Sequence, residues 1–151
     1  MKTLKTLLTL AVLAAIVIAI LSGIMPKIAY NQKKALFDGY KIAKKLTDTD
    51  DTYIIRVNLS KGTWEDLEMQ LDRDGWKPEA EAKYWKASPN KELFTAKEIQ
   101  AFQKEYVRMS TKKLPIQQKY FVEYLAVMQD SEGVYLYFEV QMQDSEVTPC
   151  H

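Results

Sequence analysis

Apolar residues follow three different rhythms along this chain, and each rhythm predicts a different kind of element. The first is continuous. From Thr6 to Pro26 no side chain is charged, and Leu7 to Met25 is almost wholly Leu, Ile, Val and Ala, softened by Thr9, Ser22 and Gly23. At 1.5 Å per helical residue, about 20 such residues cover the roughly 30 Å hydrocarbon core of a bilayer. Residues 1–26 are therefore expected to form a short tail and a single transmembrane signal-anchor. The rival is a cleaved signal peptide, but such a peptide has a shorter apolar core, about 7–15 residues, and a small-residue cleavage site. No Ala-x-Ala closes this run. Cutting at Val17-Ile18-Ala19 would leave Ile20, Leu21, Ile24 and Met25 as a sticky new terminus.

The second rhythm is strict alternation, the mark of a half-buried strand. Tyr53, Ile55, Val57 and Leu59 share one face of a first strand, opposite Arg56 and Asn58. Tyr120, Val122, Tyr124, Ala126 and Met128 alternate in a second, and Val134, Leu136, Phe138, Val140 and Met142 in a third. Between those two, Asp130-Ser131-Glu132-Gly133 reads as a type I turn with a glycine bulge, joining a C-terminal hairpin. That turn sets Asp130 against Val134, Met128 against Leu136 and Tyr124 against Val140, which puts both alternating apolar rows on one face.

The third rhythm is the three-to-four spacing of an amphipathic helix. It recurs at Leu36, Tyr40 and Ala43 within Asn31–Leu46, with Lys34, Lys41 and Lys45 opposite, so residues 27–47 are expected to be a basic juxtamembrane helix. It recurs at Trp64, Leu67 and Leu71, after a cap at Thr63 and before a stop at Gly75. It recurs again at Ile99, Phe102, Tyr106 and Met109, after a capping box of Thr95 and Glu98 with Phe94 and Ile99 spaced as a hydrophobic staple. Lys77 to Asn90 carries no clear rhythm, although Tyr84 and Trp85 would suit a short strand or a core plug. The fold class that results is α+β. A single transmembrane helix precedes a small domain, residues 48–146, in which an antiparallel sheet packs with two or three helices, and residues 147–151 form a tail.

Charge sharpens this division. Residues 1–45 carry a net +7 and residues 46–151 a net −6. A basic stalk beside lipid and an acidic head away from it suit an anionic membrane surface. Lys27, Lys33, Lys34, Lys41, Lys44 and Lys45 are the candidate lipid-surface contacts. The acidic head lacks the basic footprint of a nucleic-acid-binding domain. Counting Lys and Arg at the two flanks favours a cytoplasmic head. The start Met-Lys-Thr-Leu-Lys-Thr-Leu-Leu resembles an uncut bacterial export signal, and on that ground the head is expected in the periplasm or outside the cell.

Chemistry-bearing motifs are sparse. The chain has one His and one Cys, adjacent at its end as Cys150-His151, so neither a Ser-His or Cys-His nucleophile inside the domain nor an internal disulfide is available. Cys150 offers a route to a disulfide-linked homodimer. No phosphate loop, zinc motif or calcium loop occurs, and no cofactor or metal is expected. The hairpin register predicts a mixed second face bearing Phe121, Glu123, Leu125, Val127, Tyr135, Tyr137 and Glu139. If open, that face is an interaction surface of the kind that binds another envelope or membrane protein. If a helix covers each side of the sheet, the same residues are core. The expected function is that of a single-pass, non-enzymatic protein-binding or accessory and regulatory protein of a bacterial or phage-related envelope system. The alternative is a membrane-tethered hydrolase acting on cell-wall polysaccharide through Glu123 and Glu139, carboxylates that such chemistry requires in pairs.

Overall fold

The continuous apolar run becomes the outer part of one long helix, α1, spanning Lys2–Lys34 in the computed structural model. The structure describes residues 2–79, 95–113, 118–131 and 133–144; Tyr84, Trp85, Phe94, Cys150 and His151 lie outside them. An 18-residue window of this helix has a mean hydropathy of 2.8 and is 6% buried, long and apolar enough to cross a membrane. Leu4, Leu8 and Leu13 are all more than half exposed. Burial begins further on, at Ser22, Pro26 and Tyr30, an i, i+4, i+8 stripe that faces the rest of the fold.

The expectation of a basic helix over residues 27–47 is corrected. Proline inside a helix removes the bond to the carbonyl four residues earlier, yet the helix continues past Pro26 to Lys34. It then tightens into a 3-10 turn, Ala35–Phe37, that drives Phe37 fully into the core. Residues Ile42–Asp48 are an edge strand, β1, rather than helix. Leu36 and Tyr40 do pack on the core as their spacing implied, but from a turn.

Five further strands complete an antiparallel sheet: β2 Thr52–Leu59, β3 Lys77–Glu79, β4 Phe102–Lys113, β5 Gln118–Asp130 and β6 Gly133–Gln143. Their spatial order is β1-β2-β6-β5-β4-β3. The C-terminal hairpin is present, but its register is shifted by one residue from expectation. Asp130 pairs with Gly133, Met128 with Tyr135 and Tyr124 with Glu139. The loop is closed by the Gly133 N–H donating to Asp130 Oδ1 at 3.2 Å, and Gly133 takes φ 139°, a value that side chains disfavour. A one-residue slip moves every side chain of one strand to the opposite face. Phe121, Leu125 and Val127 therefore join Val134, Leu136, Phe138 and Val140, while Tyr124, Ala126 and Met128 join Tyr135 and Tyr137.

Both faces are covered. On the first, helix α2 (Lys61–Arg73) buries Trp64, Leu67 and Leu71, the stripe its spacing predicted. Its cap is Ser60 rather than Thr63: Ser60 Oγ accepts from the Thr63 N–H at 3.2 Å, so the helix starts three residues early. Phe37 and Phe138 meet edge to face at 4.8 Å in the same cluster, beneath the end of α1. On the second face, Thr95 and Glu98 form the expected capping box, but the helix they start, α3 (Ala96–Gln100), lasts five residues. Phe102 to Lys113 is the strand β4, so the helical spacing of Ile99, Phe102, Tyr106 and Met109 was coincidental. Tyr106, Val107 and Thr111 suit a pleated strand, and eleven register pairs with β5 outweigh the local helical signal.

Candidate functional site

The corrected register brings together a cluster that the sequence did not reveal. Glu123, at the centre of β5, faces the α1 side of the sheet and is completely buried. Arg108 lies directly across from it on β4. Arg108 Nε and Nη2 donate to the two Glu123 carboxylate oxygens at 2.6 and 2.9 Å, a bidentate pair. Arg108 Nη1 also donates to the Asp74 carbonyl at 3.2 Å, and its guanidinium lies 4.9 Å from the Trp76 ring centre. These bonds to Glu123 push the Arg108 pKa above its already high ordinary value. Lys33, in the last turn of α1, approaches Glu123 Oε2 at 3.4 Å and sits over the Phe121 ring. A buried carboxylate is costly unless paired. Here the pairing also fastens the helix to the sheet.

Beside this cluster lies a cleft of about 360 Å³ between the end of α1 and strands β4 and β5. From α1, Ala29, Gln32 and Lys33 line it at i, i+3 and i+4, joined by Leu36 from the 3-10 turn. From the sheet come Arg108, Ser110, Lys112, Phe121 and Glu123. Ser110 Oγ is buried and makes no hydrogen bond among the described residues. Two cations, Arg108 and Lys33, thus hold the Glu123 carboxylate, and Lys112 adds a third to the cleft lining.

The single mixed face expected from the sequence is not formed. Phe121, Glu123, Leu125 and Val127 belong to the α1–α2 side, and Tyr135, Tyr137 and Glu139 to the other. All seven are buried. On the second side the Tyr137 hydroxyl donates to Glu98, the Tyr124 hydroxyl to Glu105, and Gln141 Nε2 to Glu139. The Arg56 guanidinium stacks over Tyr135 at 4.1 Å. Glu123 and Glu139 project from opposite sides of the sheet, so they do not form an acid–base pair across one substrate.

The lysines singled out as lipid contacts divide as well. Lys27, Lys41, Lys44 and Lys45 are exposed. Lys45 also reaches Asp48 at 3.4 Å. Lys33 and Lys34 point back into the fold, Lys34 donating to Asp48 Oδ1 at 2.7 Å and resting over the Tyr30 and Tyr53 rings. Hydrogen bonding from Lys34 lowers the Asp48 pKa below the ordinary carboxylate value. Tyr30 completes this second fastening by donating to the Thr49 carbonyl at 3.0 Å. The end of α1 is therefore held at two places, Glu123 on one side and the Asp48–Thr49 corner on the other.

Sequence reasoning missed Arg108 because it assigned that residue to a helix. The signal available was alternation: Lys104, Tyr106, Arg108 and Ser110 share one side of β4, and Glu105, Val107 and Met109 the other. Comparison with protein families, with characterised proteins and with solved structures found no match.

Proposed function

We propose that this chain is a single-pass membrane protein whose head is held rigidly at the bilayer surface and works by contact with another envelope or membrane protein, without catalysis. The observation that carries the reading is the continuity of α1. The same helix that exposes Leu4 to Leu21 to its surroundings ends inside the head, with Tyr30 buried, Lys33 bonded to Glu123 and Lys34 bonded to Asp48. A signal peptide has no need of such joints, because it is discarded. A head joined this way takes its orientation from the membrane helix, a property suited to an accessory or regulatory subunit that must present one surface to a neighbour. The export-like N-terminus favours a head on the outer side.

A sheet edge left open by the described residues supports the contact mode. Beyond its short pairing with β3 at residues 105–107, the outer edge of β4 from Met109 to Lys113 meets no strand among the described residues. Unpaired edges accept strands from partners. The hydrolase reading, by contrast, loses the Glu123 and Glu139 pair on which it rested. The test is purification from native membrane in mild detergent after cross-linking in the intact membrane. A second protein recovered in fixed ratio is the expected result. A chain that purifies alone and releases soluble sugar from cell wall would overturn the reading.

A further inference from the structure

The cleft beside Glu123 has the chemistry of an anion site. We infer that it binds a phosphate group, and that the source of that phosphate is an anionic phospholipid headgroup at the surface α1 enters. The inference rests on α1 spanning the bilayer. Charge is the first support. Among the described residues, Lys33, Arg108 and Lys112 line the cleft against the one carboxylate of Glu123, leaving an excess of positive charge for an incoming anion. Donor supply is the second. Arg108 uses three of its N–H groups on Glu123 and Asp74, while Lys33 makes only a long contact with Glu123 at 3.4 Å. The Gln32 amide, the Lys112 ammonium and the buried Ser110 hydroxyl, which makes no hydrogen bond among the described residues, add donors from both walls. A phosphate offers several strong acceptors to such a set.

Room is the third support. A volume of about 360 Å³ admits a phosphate with its adjoining glycerol carbons.

The experiment uses the full-length protein in a zwitterionic detergent. Binding of three probes is followed by thermal stability and by native mass spectrometry: short-chain phosphatidylglycerol, short-chain phosphatidylcholine and inorganic phosphate. Phosphatidylglycerol is expected to raise the melting temperature saturably and to remain bound in the mass spectrum, with phosphatidylcholine and inorganic phosphate much weaker. Lys112→Gln, which removes a cation that makes no ion pair among the described residues, should weaken phosphatidylglycerol about tenfold, the loss of one charge-assisted contact. Ser110→Ala should weaken it less, and Lys41→Gln, outside the cleft, not at all. Inorganic phosphate binding as tightly as the lipid would overturn the headgroup as the source. Equal affinity in wild type and Lys112→Gln, or no response to any probe, would overturn the site. Flotation of the wild-type chain with pure phosphatidylcholine vesicles separates the two readings, because it reports membrane insertion whether or not the cleft binds phosphate.

Discussion

Replacing Glu123 by Gln tests whether the buried ion cluster fastens the sheet and the inner end of α1 together. Glu123 is completely buried and accepts from Arg108 at 2.6 and 2.9 Å and from Lys33 at 3.4 Å. Removing one partner of a fully buried ion pair costs about 3–5 kcal/mol, because the other charge is left uncompensated. Here the side chains of Arg108 and Lys33 retain 28% and 20% exposure, so water recovers part of that cost. Arg108 also keeps its bond to the Asp74 carbonyl. The expected loss is therefore about 2–3 kcal/mol, which for a head of this size lowers the melting temperature by roughly 10 °C. Glu68→Gln serves as an internal comparison. Its pair with Lys104, at 2.8 Å, is about one-third exposed on both sides, and such pairs contribute about 0–1 kcal/mol. Replacing Glu123 and Arg108 together by Met should recover most of the stability, since a well-packed apolar pair removes both desolvation costs. The assay is thermal unfolding of the full-length protein in detergent, followed by tryptophan fluorescence. Equal small shifts for Glu123→Gln and Glu68→Gln would refute the reasoning, as would a double variant less stable than Glu123→Gln alone.

Phe138→Ala should cost about 3–5 kcal/mol, because the ring is fully buried between Phe37 and Trp76; Tyr137→Phe should cost only about 1 kcal/mol, the loss of its bond to Glu98. Urea midpoints for the two variants distinguish them. Burial holds the hydroxyl pKa values of Tyr30, Tyr53 and Tyr106 above their ordinary value. The folded state then keeps protons that the unfolded chain releases, so stability should fall as pH rises above about 10. Tyr30→Phe should blunt that fall, as pH-dependent denaturation would reveal. Asp48 has the opposite sign. Its pKa is lowered by Lys34, so its contribution is intact above the ordinary carboxylate value of about 4 and disappears as pH falls below it.

The parts of the fold legible in the sequence were those in which local pattern and burial agree. The α2 stripe of Trp64, Leu67 and Leu71, the strand Thr52–Leu59, the Thr95–Glu98 capping box and the existence of the hairpin belong to this class. The hairpin register was not legible, for a physical reason. Both faces of β5 and β6 are apolar because both are covered, so parity of hydrophobic residues favours neither of two registers one residue apart. The turn decided the matter through the Asp130–Gly133 closure. The edge strand β1 was hidden by its lysines, which suit an edge but also mimic the polar side of a helix. The Arg108–Glu123 cluster depended on two of these features at once, strand rather than helix at Arg108 and the correct face for Glu123. Local sequence contains neither.

The central claim is that α1 remains part of the mature protein and joins the membrane to the head. Intact-mass and N-terminal sequence analysis of the protein recovered from alkali-washed membranes tests it most directly. The account predicts an uncut chain, with Leu4 to Leu21 present and the protein retained in the membrane pellet. A soluble chain beginning near Ile20 or Tyr30 would contradict it.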